Sequence, residues 1–239
     1  MRRCLPAALL LASAVLLASV LTGCGTATTP GTPAPAAPST AAPAATGSGG
    51  TGGTGENRDV SGFTGVELTT VGDLRIEQTG TESLTIEAAP DVLPQLTSEV
   101  VGGVLRLGVA PGASIETNVP IVYRLTVATL DSLSVSGAGD VTAPNLQAGR
   151  LTVEIDGAGD VTLGGTVDSQ VVTISGAGDY DAEGLQSTTA EISVDGAGGA
   201  VVRVSDSLDA TVDGVGSVEY IGDPRVTQDI SGVGSVEQR

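Results

Sequence analysis

The chain has no lysine, no histidine and no tryptophan, and only two cysteines, one phenylalanine and three tyrosines in 239 residues. Each absence closes off a kind of chemistry. Without histidine or lysine, no Ser-His-Asp, Cys-His or Ser-Lys arrangement can be built. All positive side chains are arginines, ten of them against 28 acids, for a net charge of −18. Such a surface repels nucleic acid and anionic headgroups, so no nucleic-acid partner is expected. With so few aromatics, the core must be built from Val, Leu, Ile and Ala. Valine and isoleucine suit pleated strands, and the 35 glycines suit tight turns between them. Composition therefore points to an all-β protein.

What is present begins with an address. The stretch MRRCLPAALLLASAVLLASVLTGC has two arginines, a long apolar run and a small-residue ending, the layout of a signal peptide. Its last four residues, Leu21-Thr22-Gly23-Cys24, resemble the bacterial lipobox. That resemblance implies lipid transfer to the Cys24 sulfur, cleavage before Cys24 and acylation of the new amine. The apolar run is also long enough for an uncleaved membrane span, but Gly23-Cys24 and the small residues after them favour cleavage. Cys4 then leaves with the signal and Cys24 carries lipid, so no thiol remains for a disulfide, a zinc site or a nucleophile. Residues 25–55 are only Gly, Ala, Thr, Pro and Ser. That composition cannot bury a core and reads as a disordered tether. As a flexible coil its ends lie roughly 30 Å apart, with a limit of about 100 Å when extended. The expected organisation is a lipoprotein signal peptide at 1–23, lipidated Cys24 and tether at 24–57, and a folded domain at 58–239.

The folded part alternates apolar and polar residues. Val100-Val101-Gly102-Gly103-Val104-Leu105 reads as a hairpin around Gly-Gly. IVYRLTV places Ile121, Tyr123, Leu125 and Val127 on one face, and PDVLPQLT suggests a turn of helix. From Leu130 a period appears. The first Gly of each G-x-G falls at Gly137, Gly157, Gly176, Gly196, Gly214 and Gly232. Two residues before these stand Val135, Ile155, Ile174, Val194, Val212 and Ile230. Four before stand Leu133, Val153, Val172, Ile192, Ala210 and Gln228. Four after stand Val141, Val161, Tyr180, Ala200, Val218 and Val236. A further apolar column is read at Leu146, Val167, Leu185, Leu208 and Val226. A fixed period near twenty signals a solenoid. The expectation is a right-handed parallel β-helix with about 18–20 residues per coil, coils stacking at about 4.8 Å. An antiparallel β-sandwich explains the alternation but not the period. Thr70-Val71-Gly72-Asp73 echoes the repeat, with Thr70 where the first Gly belongs.

The order GFTGVELTTVGDLRIEQTG, EAAPDVLPQL, LDSLSVSGAGDVT and then repeated SGAGD and SGVGSV resembles the head GIN domain family of putative auto-transporter adhesins. The similarity covers about Arg58 to Arg239. It implies a β-helical domain that is secreted or lipid-anchored in bacteria, with an adhesin-like role and no catalytic residues to carry over. Gly199 stands here in place of the motif's Asp, and Ser217 and Ser235 do so in the last two copies.

The repeated Ser/Asp-Gly-Ala-Gly-Asp admits two main readings. Glycine permits positive φ and Ser or Asp can cap a turn, so the motif works as a corner without a ligand. Alternatively Asp140, Asp160 and Asp179 stack into a column where calcium relieves their repulsion, using carboxylate and backbone oxygens. The calcium-binding β-roll repeat has a different Gly and Asp spacing. A phosphate loop is disfavoured, since no lysine is present and no helix follows. No other cofactor is expected. Paired carboxylates can cleave glycosides, but sugar clefts want aromatic platforms, and a non-enzymatic role is expected. The functional expectation is a lipid-anchored cell-envelope protein, held to the membrane through Cys24. Its β-helical domain faces the extracytoplasmic side and contacts a protein or glycan partner. The alternative is an envelope structural or sensory accessory.

Overall fold

The structure is a computed structural model that describes residues 54–115 and 117–239. Cys24, the signal segment and the tether up to residue 53 lie outside the described residues. Fifteen strands follow one another: β1 (Thr54–Arg58), β2 (Gly65–Leu68), β3 (Asp73–Gln78), β4 (Ser83–Ala88), β5 (Leu96–Val101), β6 (Val104–Val109), β7 (Val122–Val127), β8 (Ser132–Val135), β9 (Val141–Ile155), β10 (Val161–Ile174), β11 (Tyr180–Val194), β12 (Gly199–Val212), β13 (Ser217–Ile221), β14 (Arg225–Ile230) and β15 (Ser235–Gln238). One 3-10 turn, Leu93–Gln95, sits where the sequence suggested a turn of helix.

The architecture is a parallel β-solenoid. Each repeat coil has a strand before the G-x-G corner and one after it. The pre-corner strands stack as β5, β6, β2, β8 and the second halves of β9 to β12, ending at β14. The post-corner strands stack as β1, β4, β7, β3 and the first halves of β9 to β12, ending at β13 and β15. The alternation of apolar residues turns one side of every strand inward. Nearly every aliphatic residue of the three strictly periodic columns before the last coil is fully buried, and the cluster running from Phe63 to Val218 forms one core within Thr54–Arg239.

The echo at Val71-Gly72-Asp73 is a true rung. Val71 bridges Ala138 in parallel, and Leu74 pairs with Val141. Beneath that rung lies a further coil that the repeat did not reveal: β6 runs parallel to β2 and β7 parallel to β3. Below it, antiparallel β1, β4 and β5 close the end of the stack. The β5–β6 hairpin turns at Gly102 and Gly103, both at positive φ (62° and 83°), as a two-residue turn requires. Strand β1 begins at Thr54, inside the segment that composition assigned to the tether. Its residues need no apolar side chains: backbone pairing to β4 holds them, with Arg58 donating to Leu93 O and Leu96 O and Asn57 Oδ1 accepting from Thr85 Oγ1.

Two expectations are corrected. The column of Leu146, Val167, Leu185, Leu208 and Val226 is not one ladder. Leu146 and Leu185 flank Gly165, Val167 lies between Ala148 and Ser187, and Leu208 lies between Ala190 and Val226. Coils of unequal length put their slack on the side opposite the corner, where the register shifts between Leu163 and Gly165, Ala182 and Gln186, and Ser187 and Thr189. Counting residues back from the corner is therefore safe only near the corner. The second correction concerns why the motif needs glycine. None of the G-x-G glycines from Gly137 to Gly234 has positive φ. Instead, a Cβ on Gly157 would overlap the carbonyl oxygen of Gly137. One on Gly176 would overlap that of Gly157, and so on up the stack to Gly232 over Gly214. The second glycine column does the same, from Gly139 over Gly72 to Gly234 over Gly216. Close approach of backbones, not turn handedness, selects glycine here.

Candidate functional site

The corner is the place where the sequence located its candidate chemistry. Strand pairing is interrupted there, so backbone groups need other partners. Some find them in the coil below: Ala158 N–H donates to Gly137 O, and Ala177 N–H to Gly157 O. Three aspartates supply partners for others. Asp140 Oδ1 accepts from the Asp160 amide (3.3 Å), Asp160 Oδ1 from the Asp179 amide (3.2 Å), and Asp179 Oδ1 from the Gly199 amide (2.7 Å). The three carboxylates do stack, as expected, and each is tied to the next coil's backbone. The column stops at Gly199 because that residue has no side chain to continue it. Among the described residues, no group of three or more acidic side chains is placed to hold a metal ion. The preceding column also bonds between coils at its top, where Ser231 Oγ donates to Asp213 Oδ1.

The middle residues of the corners form an exposed ridge. It is valine at both ends, with Val71 44% exposed, Val215 63% and Val233 76%, and alanine at Ala138, Ala158, Ala177 and Ala197 between them.

Opposite the corner, the register shifts open a lateral groove of about 550 Å³ across four coils. Thr166, Asp168, Gln186, Thr188, Arg203 and Asp223 line it. Side chains repair the broken ladder at its floor. Arg203 Nε donates to Glu183 O, Ser205 Oγ to Ser187 O, and Ser187 Oγ to Arg203 O. Beneath lies a polar chain that sequence reasoning missed. Buried Tyr180 donates its hydroxyl to Gln170 Oε1 (2.8 Å), and Gln170 Nε2 donates to Ser187 Oγ (2.8 Å). Burial pushes the Tyr180 phenol well above its ordinary range. The signal was legible only with the true register: Gln170 interrupts the inward column of Leu151, Ala190 and Leu208. Tyr123, at the other end of the core, has a buried hydroxyl without a partner among the described residues and is likewise pushed up by burial.

Comparison with known proteins agrees with this geometry. The profile of a family described as "Putative auto-transporter adhesin, head GIN domain" matches residues 62–224. Among solved structures, a protein described as a putative adhesin from Bacteroides fragilis is similar at a TM-score of 0.67 and 25% identity, covering 80% of this chain and 98% of its own. A second, described as a putative adhesin from Parabacteroides distasonis, has a TM-score of 0.50 and 22% identity over 80% of this chain and 98% of its own, and shows the shared fold. No curated protein matches. The chain thus belongs to the head GIN domain family of putative auto-transporter adhesins.

Proposed function

We propose that this protein is a lipid-anchored component of the bacterial cell envelope that displays its solenoid as an adhesin-like interaction domain and performs no catalysis. Cys24 carries the lipid, residues 25–53 form the tether, and the domain stands on the extracytoplasmic side. The observation that supports this best is the solenoid itself. Its repeated motif is used in holding coil to coil, so the body is a stiff platform whose outer ladders are offered along its length. Membership of a family described as adhesins points the same way. Acyl chains on Cys24 make a stable anchor by the two-chain argument.

The test has two arms. Mass spectrometry of the N-terminal peptide from membranes is expected to find Cys24 as an acylated N-terminus, and Cys24→Ala to release the protein into the soluble fraction. Protease treatment of intact cells is expected to remove the domain, and the domain is expected to bind partner surfaces in pull-downs and on glycan arrays. Resistance to shaving, with crosslinks to the cell's own envelope proteins, would favour an accessory role.

A further inference from the structure

The last coil ends in a way that the others do not. Strand β14 pairs with β12 on one side, and its other edge carries no strand among the described residues. Its inward column is Val226, Gln228 and Ile230. Val226 is half-buried and Ile230 is 39% exposed, although every other member of the Ile230 column is fully buried. A strand edge with unpaired backbone groups beside exposed aliphatics is a template for another strand. Strand edges are ordinarily protected by charged side chains, inward-pointing charges or proline. β14 has charges only on its outward side, at Arg225 and Asp229, and neither charge nor proline at these three inward positions.

We propose that β14 is the self-association surface of this protein, pairing antiparallel with β14 of a second copy about a two-fold axis at Gln228. Three observations define that partner. The first is backbone phase. Ser231 N–H donates to Val212 O, and Ile230 is the register partner of Val212. In a parallel ladder this turns the backbone groups of Thr227 and Asp229 toward β12 and those of Val226, Gln228 and Ile230 toward the free edge. A two-fold at Gln228 therefore makes Gln228–Gln228 a hydrogen-bonded pair, with Val226–Ile230 pairs on either side. The second is side-chain pattern. The inward triplet reads apolar, amide, apolar in both directions, so each valine meets an isoleucine and the two glutamines face one another. The third is charge. Arg225 and Asp229 lie on the outward side of the same strand, and the two-fold sets each Arg225 diagonal to the other copy's Asp229, within reach for a long side chain. Arg225 already forks Asp206 of its own chain at 3.0 and 3.2 Å and can bridge both carboxylates. A mutual interface of this kind closes after two copies.

The register makes a sharp test possible. Within Thr54–Arg239, which holds the whole core, there is no cysteine. A hydrogen-bonded antiparallel pair sets Cα atoms about 5.5 Å apart, inside the roughly 4.4–6.8 Å that a disulfide spans. Gln228→Cys in this fragment is expected to form a disulfide-linked dimer under mild oxidation, and Thr227→Cys, which faces Asp229 in this register, to remain largely monomeric. Sedimentation of the unmodified fragment is expected to show a dimer at high concentration that dissociates on dilution. Gln228→Pro removes the side chain at the two-fold and the amide hydrogen aimed at the free edge, and it breaks no backbone bond to β12. It is expected to keep the wild-type circular dichroism spectrum and give one-chain mass at every concentration. A one-chain mass for the unmodified fragment throughout, equal crosslinking of the two cysteine variants, or open-ended oligomers would each overturn the proposal.

Discussion

Replacing Gly176 by alanine measures how much the stack depends on backbone contact at its corners. A Cβ there overlaps the Gly157 carbonyl oxygen, and it meets the carbonyl carbon and oxygen of Asp156 at 2.7 and 2.8 Å. All three are backbone atoms of the coil below, so no flexible side chain can give way. The corner must lift, straining Gly176 N–H to Ile155 O and Ala177 N–H to Gly157 O, both 3.0 Å. Overpacking costs about 1–3 kcal/mol, and two weakened hydrogen bonds add about 1–2 kcal/mol. The expected loss is about 2–5 kcal/mol. For a domain of this size that lowers the melting temperature by roughly 4–20 °C. Gly149→Ala is the control, because its nearest neighbour is the Asp168 side chain at 3.8 Å. That change is expected to be neutral or to stabilise by about 0.4–1 kcal/mol through the unfolded chain. Gly232→Ala makes the same overlap on the last coil, which has less packed above it, and is expected to cost less than Gly176→Ala. Thermal unfolding followed by circular dichroism on Thr54–Arg239 reads all three. If Gly176→Ala melts with Gly149→Ala, the close-approach account of the repeat is wrong.

Asp160→Ala removes the acceptor for the Asp179 amide and is expected to cost about 1 kcal/mol, while Asp160→Asn keeps an acceptor and costs less. Calcium up to about millimolar, the range of extracellular modules, is expected to leave the melting temperature of the wild-type fragment unchanged, and a clear rise would show the Asp column to be a cation site. Tyr180→Phe strands Gln170 Oε1 in the core and is expected to destabilise by about 1–3 kcal/mol in chemical denaturation. In an alkaline absorbance titration, Tyr123 and Tyr180 are expected to ionise only as the protein unfolds, since burial raises both. The Arg124 hydrogen bond at 2.9 Å holds the Glu87 carboxyl below its ordinary value. Its contribution is present above the unfolded pKa and fades as pH falls through the folded one, so Glu87→Gln is expected to melt slightly below wild type at neutral pH and level with it in acid. The pair is exposed, so this difference is small.

Much of the solenoid was legible in the amino-acid order because its corner is made of local rules. A Gly-x-Gly every 18 to 20 residues, with aliphatics at fixed offsets on both sides, names the strands, their inward faces and the pairing of one coil with the next. It also placed Asp140, Asp160 and Asp179 in one column. What that column does was not legible. Each carboxylate's bond to the next coil's amide is a contact between coils, and composition carries no such distance. The coil formed by β6 and β7 was hidden for another reason. It lacks the motif and comes later in the chain than the rung it lies beneath, so only spatial pairing reveals it.

The order of residues alone thus determined the repeat, the aliphatic core and the absence of histidine, lysine and thiol chemistry from the folded body, because each follows from side-chain type and spacing. Tertiary structure decided why the corner glycines cannot be replaced, where the register slips to open the lateral groove, and how Gln170 finds Tyr180 and Ser187. Those features arise between coils, where backbone meets backbone across about 4.8 Å, and a linear sequence does not state how closely two distant segments approach.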